Sequence, residues 1–171
     1  MNYWRSPDKR REEVAGSTWD EFDLDQRIWT LPKARTKNAK QHSVHLSAQA
    51  ITVLKRMKKQ GPFAFSVQGT KPFRAFSLAK RELDDMSSVK NWRLHDLRRT
   101  CVSGMARLGI PPHVADKILN HQTGAISGVA AVYQRHDFLA ERKGALERWG
   151  AHVGELLGGI SGHRIDLKIV A

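Results

Sequence analysis

Apolar residues recur at helical spacing in short blocks, and glycine and proline cut the blocks apart. Ile51, Leu54 and Met57 form one block, opened by Ser47 and closed by Gly61-Pro62. Leu97, Cys101, Met105 and Leu108 form a second, closed by Gly109. Val114, Ile118 and Leu119 form a third, opened by Pro111-Pro112. Phe138, Ala145, Trp149, Val153 and Leu156 form a fourth, closed by Gly158-Gly159. A period near 3.6 gives each block one apolar face, and Gly and Pro stop the helices that carry it. Such a chain has to build its core by packing short amphipathic helices on one another. Residues 74–86 read as a further helix. Ser6-Pro7 reads as a helix start, with the hydroxyl as N-cap and the proline at the first helical position, and Gly16 as its stop.

Two stretches break the helical rule. Residues 28–31 (IWTL) and 43–46 (SVHL) are rich in β-formers, and the second alternates polar and apolar. The basic stretch Lys33–Lys40 joins them. We read residues 21–46 as a small antiparallel sheet with a long basic hairpin, and Phe63–Ser66 as a short strand. The Ser47 helix should run for about 12 residues. The fold class expected is mainly α with a small antiparallel β-sheet (α+β). Gln122–Gly128 reads as a looser connection, and the last residues as a strand or a tail.

Charge narrows the function. The formal net charge of +12 is concentrated: residues 33–99 hold 16 basic and 4 acidic side chains, while residues 1–32 hold 5 and 7. A concentrated basic surface attracts polyanions and releases their condensed counterions, which points to nucleic acid over a merely solvated face. The single cysteine, Cys101, excludes a disulfide framework and a cysteine-based zinc site within the chain. No run approaches the roughly 20 apolar residues of a membrane span, and the first residues lack the pattern of a signal peptide. The expected location is cytoplasmic.

Five polar features stand out: Arg10-Arg11-Glu12-Glu13, Lys37, His95-Asp96-Leu97-Arg98-Arg99, Asn120-His121, and Tyr133. His95 and Arg98 lie three residues apart and share a helix face. An imidazole beside a guanidinium suits a phosphodiester, because Arg can fork two oxygens while His moves a proton. Taken singly, each feature has a plainer reading: a helix-terminal histidine, a solvated lysine, a capped helix end, a half-buried tyrosine.

Taken together, their order resembles the catalytic domain of the tyrosine recombinases, the phage-integrase family. The matching boxes are Arg10-x-x-Glu13 followed by Trp19-Asp20-Glu21-Phe22-Asp23; Thr36-Lys37-Asn38 leading to Val44-His45-Leu46-Ser47; His95-Asp96-Leu97-Arg98-Arg99-Thr100; Ile118-Leu119-Asn120-His121; and Val132-Tyr133. The resemblance runs from about Arg10 to His152. It implies that Arg10 and Arg98 clamp the scissile phosphate, and that Lys37 protonates the leaving 5′-oxygen. It implies that His95 assists proton transfer, that His121 hydrogen-bonds the phosphate, and that Tyr133 attacks to form a 3′-phosphotyrosine; Glu13 would orient. It also implies double-stranded DNA as partner, a homo-tetramer on that DNA, and no metal or other cofactor. In keeping with that, the sequence contains no GxxxxGK[ST] loop and no HExxH; His42 and His45 give only a faint metal signal.

The chain departs from the family in places. Only nine residues precede Arg10, where family members carry further helices and a separate N-terminal domain. The turn before that arginine reads Pro7-Asp8-Lys9, His45 stands where Pro is common, and Ser17-Thr18 replaces a more apolar pair. The expectation is therefore an N-terminally truncated member, with residues 1–157 a partial catalytic domain and 158–171 a tail. Apolar surface should be uncovered around Phe22, Ile28 and Trp29. The alternative reading is a non-catalytic DNA-binding remnant. A type IB topoisomerase shares the chemistry but fits the short chain and the Ile118–His121 box less well. An RNA-binding module ranks last, for want of an aromatic-rich strand to stack bases.

Overall fold

The structure is a computed structural model and describes residues 9–36, 38–121 and 137–158. It begins with helix α1 (Lys9–Ala15), a single 3-10 turn (Trp19–Glu21) and three short strands, β1 (Phe22–Asp23), β2 (Ile28–Leu31) and β3 (His42–His45). Among the described residues five helices follow: α2 (Ala48–Arg56), α3 (Phe76–Ser87), α4 (Leu94–Arg107), α5 (Pro112–Ile118) and α6 (Leu139–Gly158). The architecture is mainly helical with one small antiparallel sheet, as the block pattern and the two β-rich stretches indicate.

The strands lie in the order β1-β2-β3. Trp29 stands opposite both Phe22 on β1 and Val44 on β3, and Ile28 opposite His45. Phe22 and Trp29 stack with ring centroids 5.6 Å apart, a cross-strand aromatic pair of the kind that stabilises short sheets. Part of the expected uncovered surface is therefore covered by its own members. Ile28 is exposed.

The main core lies where α4, α5 and α6 meet. Met105, Ile110, Val114, Ala115 and Ala145 are buried there, with Cys101, Leu108, Ile118, Leu146 and Trp149 packed against them. Gly109 ends α4 in the left-handed region at φ 72°, a conformation glycine adopts without steric penalty. Pro112 opens α5. Gly104 lets α4 and α6 approach closely: a side chain there would collide with the Trp149 ring. Gly150 plays the same part between α6 and the start of α2, facing Ser47 and Gln49.

The structure corrects four expectations. Helix α2 has nine residues and stops at Met57, well before Gly61. The reason is tertiary: Trp19 N–H bonds the Pro62 carbonyl and Ala64 N–H bonds the Ser17 carbonyl, both at 2.9 Å, which draws the chain back across the 3-10 turn. The same pairing leaves Phe63–Ser66 as a single bridge to Thr18 and not a strand. Leu97, expected inward, is 58% exposed, because the core supplied by α5 and α6 begins one turn later at Cys101. Leu156 is 57% exposed, since α6 runs on past its contacts with α2. The expected loose connection at 122–128, the Ser6-Pro7 helix start and the C-terminal tail lie outside the described residues.

Candidate active site

Helix α4 places His95 and Arg98 on successive parts of its first turns. Its start is fixed by Asp96, whose carboxylate accepts the Arg93 N–H at 2.9 Å. That backbone hydrogen bond, with help from Arg99, holds the Asp96 carboxyl below the usual carboxylate range. His95 is exposed and Arg98 half-buried. Arg98 Nη2 donates to the Leu119 carbonyl at 2.6 Å. One of the five guanidinium donors is thereby used to fix the orientation of the plane.

The receiving carbonyl belongs to the C-terminal turn of α5, and each residue of that turn is held. A helix end leaves carbonyls without intrahelical partners. Here the Ile118 carbonyl accepts from His42 Nε2 of β3 at 3.2 Å, and the Leu119 carbonyl from Arg98. Asn120, in the left-handed region at φ 53°, accepts on its side-chain oxygen from Asn38 Nδ2 at 2.7 Å. His121 N–H closes back on the Asp116 carbonyl at 3.0 Å, and His121 Nδ1 lies 3.0 Å from the Asp116 carboxylate. A carboxylate only accepts, so Nδ1 carries the proton of that bond. Asp116 therefore sets the ring's orientation and leaves Nε2 for other partners.

The basic hairpin reaches the same turn. Arg35 pairs with the buried Glu21 carboxylate and donates to the Glu13 carbonyl, which ties the loop to the end of α1. Glu21 also accepts from Trp29 Nε1 at 3.0 Å. The buried Thr36 hydroxyl sits between the Lys33 and Lys40 carbonyls, at 3.1 and 2.7 Å. Both chain neighbours of Lys37 are therefore anchored, Thr36 within the loop and Asn38 on α5.

Of the residues singled out in the sequence, Arg98, His121 and the loop around Lys37 come together at the end of α5, with His95 at the exposed start of α4. Arg10 lies in α1; its side chain, and all of Lys37 and Tyr133, fall outside the described residues. Helix α6, which follows Tyr133 in the chain, is fixed to the sheet. Buried Arg142 donates to the Ser43 carbonyl. Glu147 meets His45 Nε2 at 2.8 Å and Arg27 at 2.9 Å. The His45 hydrogen bond is the main cause holding the Glu147 carboxyl below its ordinary range. Among the described residues no group of three or more His, Cys, Asp or Glu gathers to hold a metal ion, and His42 and His45 are engaged as above. No described helix is long and apolar enough to cross a membrane.

Sequence reasoning missed Asp116, Glu147 and the Asn38–Asn120 contact. Asp116 stands five residues before His121, a spacing closed by the left-handed turn at Asn120, where the Asn120 and His121 N–H groups return to the Lys117 and Asp116 carbonyls. The other two join residues 102 and 82 positions apart, and nothing local in the sequence signals them.

Known proteins resemble the chain in sequence and in fold. Residues 9–138 match the phage integrase family. The chain is 28% identical over 151 residues to the prophage integrase IntA of Escherichia coli K12, covering 82% of this chain and 34% of that protein. The fold is similar to the integrase from mycobacterium phage Brujita, with a TM-score of 0.61 at 17% identity, over 82% of this chain and 46% of that one. The chain thus spans about a third of the one relative and under half of the other. On the strength of the match across residues 9–138, the chain belongs to the phage integrase family.

Proposed function

We propose that the chain carries the strand-cleaving centre of a site-specific tyrosine recombinase, acting on duplex DNA in the integration or excision of mobile elements. The observation that supports this best is the gathering of Arg98, His121 and the Lys37 loop at one helix end. Residues 1–157 would form the catalytic unit and 158–171 a tail, on DNA as a homo-tetramer in the cytoplasm.

In this reading Tyr133 Oη attacks the scissile phosphorus, and the bond from phosphorus to the 5′-oxygen breaks. The product is a 3′-phosphotyrosine and a free 5′-hydroxyl. The tyrosine proton passes toward His95, and Lys37 gives a proton to the leaving oxygen. Arg10, Arg98 and His121 meet the charge that builds on the phosphate oxygens, where preplaced cations and donors contribute most. Tyrosine is a weak nucleophile near neutrality, with an ordinary pKa of about 10, and needs that cationic field. One phosphodiester-type ester replaces another, so the step needs no nucleotide and no metal.

The test uses nicked suicide duplexes carrying the junction sequences that flank the gene. The expected result is a covalent protein–DNA adduct that survives denaturant and disappears in Tyr133→Phe, with adduct formation reduced by orders of magnitude in Arg98→Ala. An adduct persisting in Tyr133→Phe would assign the attack to another residue. Duplex binding without any adduct would favour a non-catalytic DNA-binding role.

A further inference from the structure

We propose that Asn38 and Asn120 form a positioning pair for the cleavage centre, locking the hairpin loop onto the α5 turn that presents His121. The inference rests on the recombinase reading, and it names two residues that take no part in the chemistry itself.

The geometry carries the argument. The Asn38–Asn120 bond, at 2.7 Å, joins a side chain of the loop to a side chain of that turn. Asn120 holds a left-handed backbone, φ 53°, which asparagine tolerates better than most residues other than glycine. That conformation lets the chain leave α5 and turn directly into His121, whose N–H and ring both return to Asp116. On the other side, Asn38 Oδ1 accepts the Lys40 N–H at 3.2 Å. One amide of Asn38 thus shapes the loop with its oxygen and reaches α5 with its nitrogen. Asn38 is covalently next to Lys37, and Asn120 to His121. The pair therefore joins the immediate neighbours of two residues that the proposed mechanism needs at one phosphate. Misplacement of a catalytic group by about 1 Å is enough to lower a rate about a hundredfold.

The roles can be separated by substitution. Asn120→Gly keeps the left-handed backbone and removes only the side chain. Asn38→Ala removes the partner. Asn38→Asp keeps an acceptor that the Asn120 amide nitrogen can bond after a flip. Each variant of the full chain is read on the opposite side of the contact by amide hydrogen exchange: Asn38→Ala at residues 119–121, and Asn120→Gly at residues 35, 39 and 40. Exchange should quicken by up to about tenfold, the ratio matching one lost hydrogen bond. The double variant should be no faster than the faster single one, because both remove the same bond. Asn38→Asp should restore most of the protection. Unchanged exchange across the contact, or effects that multiply in the double variant, would overturn the pair.

The catalytic readout distinguishes positioning from simple support. On the suicide duplex, Asn38→Ala and Asn120→Gly should slow adduct formation about tenfold while duplex affinity stays within about twofold, with Asn38→Asp restoring the rate. Loosened exchange with an unchanged adduct rate would overturn the positioning role. A wild-type chain that shows the expected exchange coupling but forms no adduct would overturn the recombinase reading and leave the contact established.

Discussion

Gly104→Ala tests the packing of α4 on α6, and the sign of its effect is set by two opposing terms. In a free helix interior the change would stabilise by about 0.8–1 kcal/mol, because alanine restricts the unfolded chain. In this protein the new Cβ would overlap Trp149 Cζ3 and lie 2.8 Å from Cη2 and 3.2 Å from Cε3. Ordinary contact begins near 3.4 Å, so the ring edge has to retreat by well over half an ångström. Trp149 packs against the buried cluster around Met105 and cannot yield without disturbing it. Overpacking of this kind costs about 1–3 kcal/mol, which outweighs the helical gain, and the expected net loss is about 1–2 kcal/mol. Gly144→Ala is the internal control: it lies within α6, and a Cβ there meets nothing within 4 Å. That variant should gain about 0.5–1 kcal/mol. In thermal melts the two variants should separate by about 5–10 °C. Trp149→Phe, which removes the colliding ring edge, should cost less in the Gly104→Ala background than in wild type. The reasoning fails if Gly104→Ala melts as high as Gly144→Ala, or if the Trp149→Phe cost is the same in both backgrounds.

Two further outcomes follow from the electrostatics. Glu147 has its carboxyl held low by His45, so its stabilising effect is fully present above the ordinary carboxylate range and is lost as pH falls through the lowered folded value. In urea unfolding the stability advantage of wild type over Glu147→Gln should shrink steadily below about pH 4, and a constant gap across that range would refute the pairing. Affinity for a duplex of random sequence should fall steeply and linearly on a log–log plot against salt, as phosphate contacts release counterions; a flat line would remove the electrostatic basis for DNA binding.

The parts of the fold that could be read from the sequence are those decided within a few residues. IWTL and SVHL pair as β2 and β3 in nearly the expected bounds. Gly109 and Pro112 mark the end of α4 and the start of α5, and Ser47 caps α2, its hydroxyl accepting the Ala50 N–H at 3.3 Å. What failed was decided at a distance. Helical spacing put Leu97 on the inner stripe, but spacing cannot tell where along a helix the neighbouring helices begin. The length of α2 was settled by hydrogen bonds from residues 17 and 19, outside any local window. At the site, the individual polar boxes were legible because their residue types are unusual in company. The contacts that gather them, from Asn38, His42 and Arg98 to three successive residues of one turn, needed the folded chain.

The contacts that tie distant segments together draw on arginine more than on lysine. Four guanidinium groups bond the chain's own oxygens: Arg98 to Leu119, Arg142 to Ser43, Arg148 to Leu108, Arg35 to Glu13 and Glu21. Ammonium groups are mostly left to solvent, with Lys33, Lys40, Lys55, Lys58, Lys59, Lys71, Lys90 and Lys143 all exposed. A planar fork suits carbonyl and carboxylate geometry, whereas a strongly hydrated point charge is better kept in water. Fold and polyanion attraction are therefore chemically separable. Acylating the exposed lysines would weaken the positive field, leaving to it only exposed arginines such as Arg56, Arg74, Arg81 and Arg107, while the guanidinium contacts to the backbone, and the architecture they hold, stay in place.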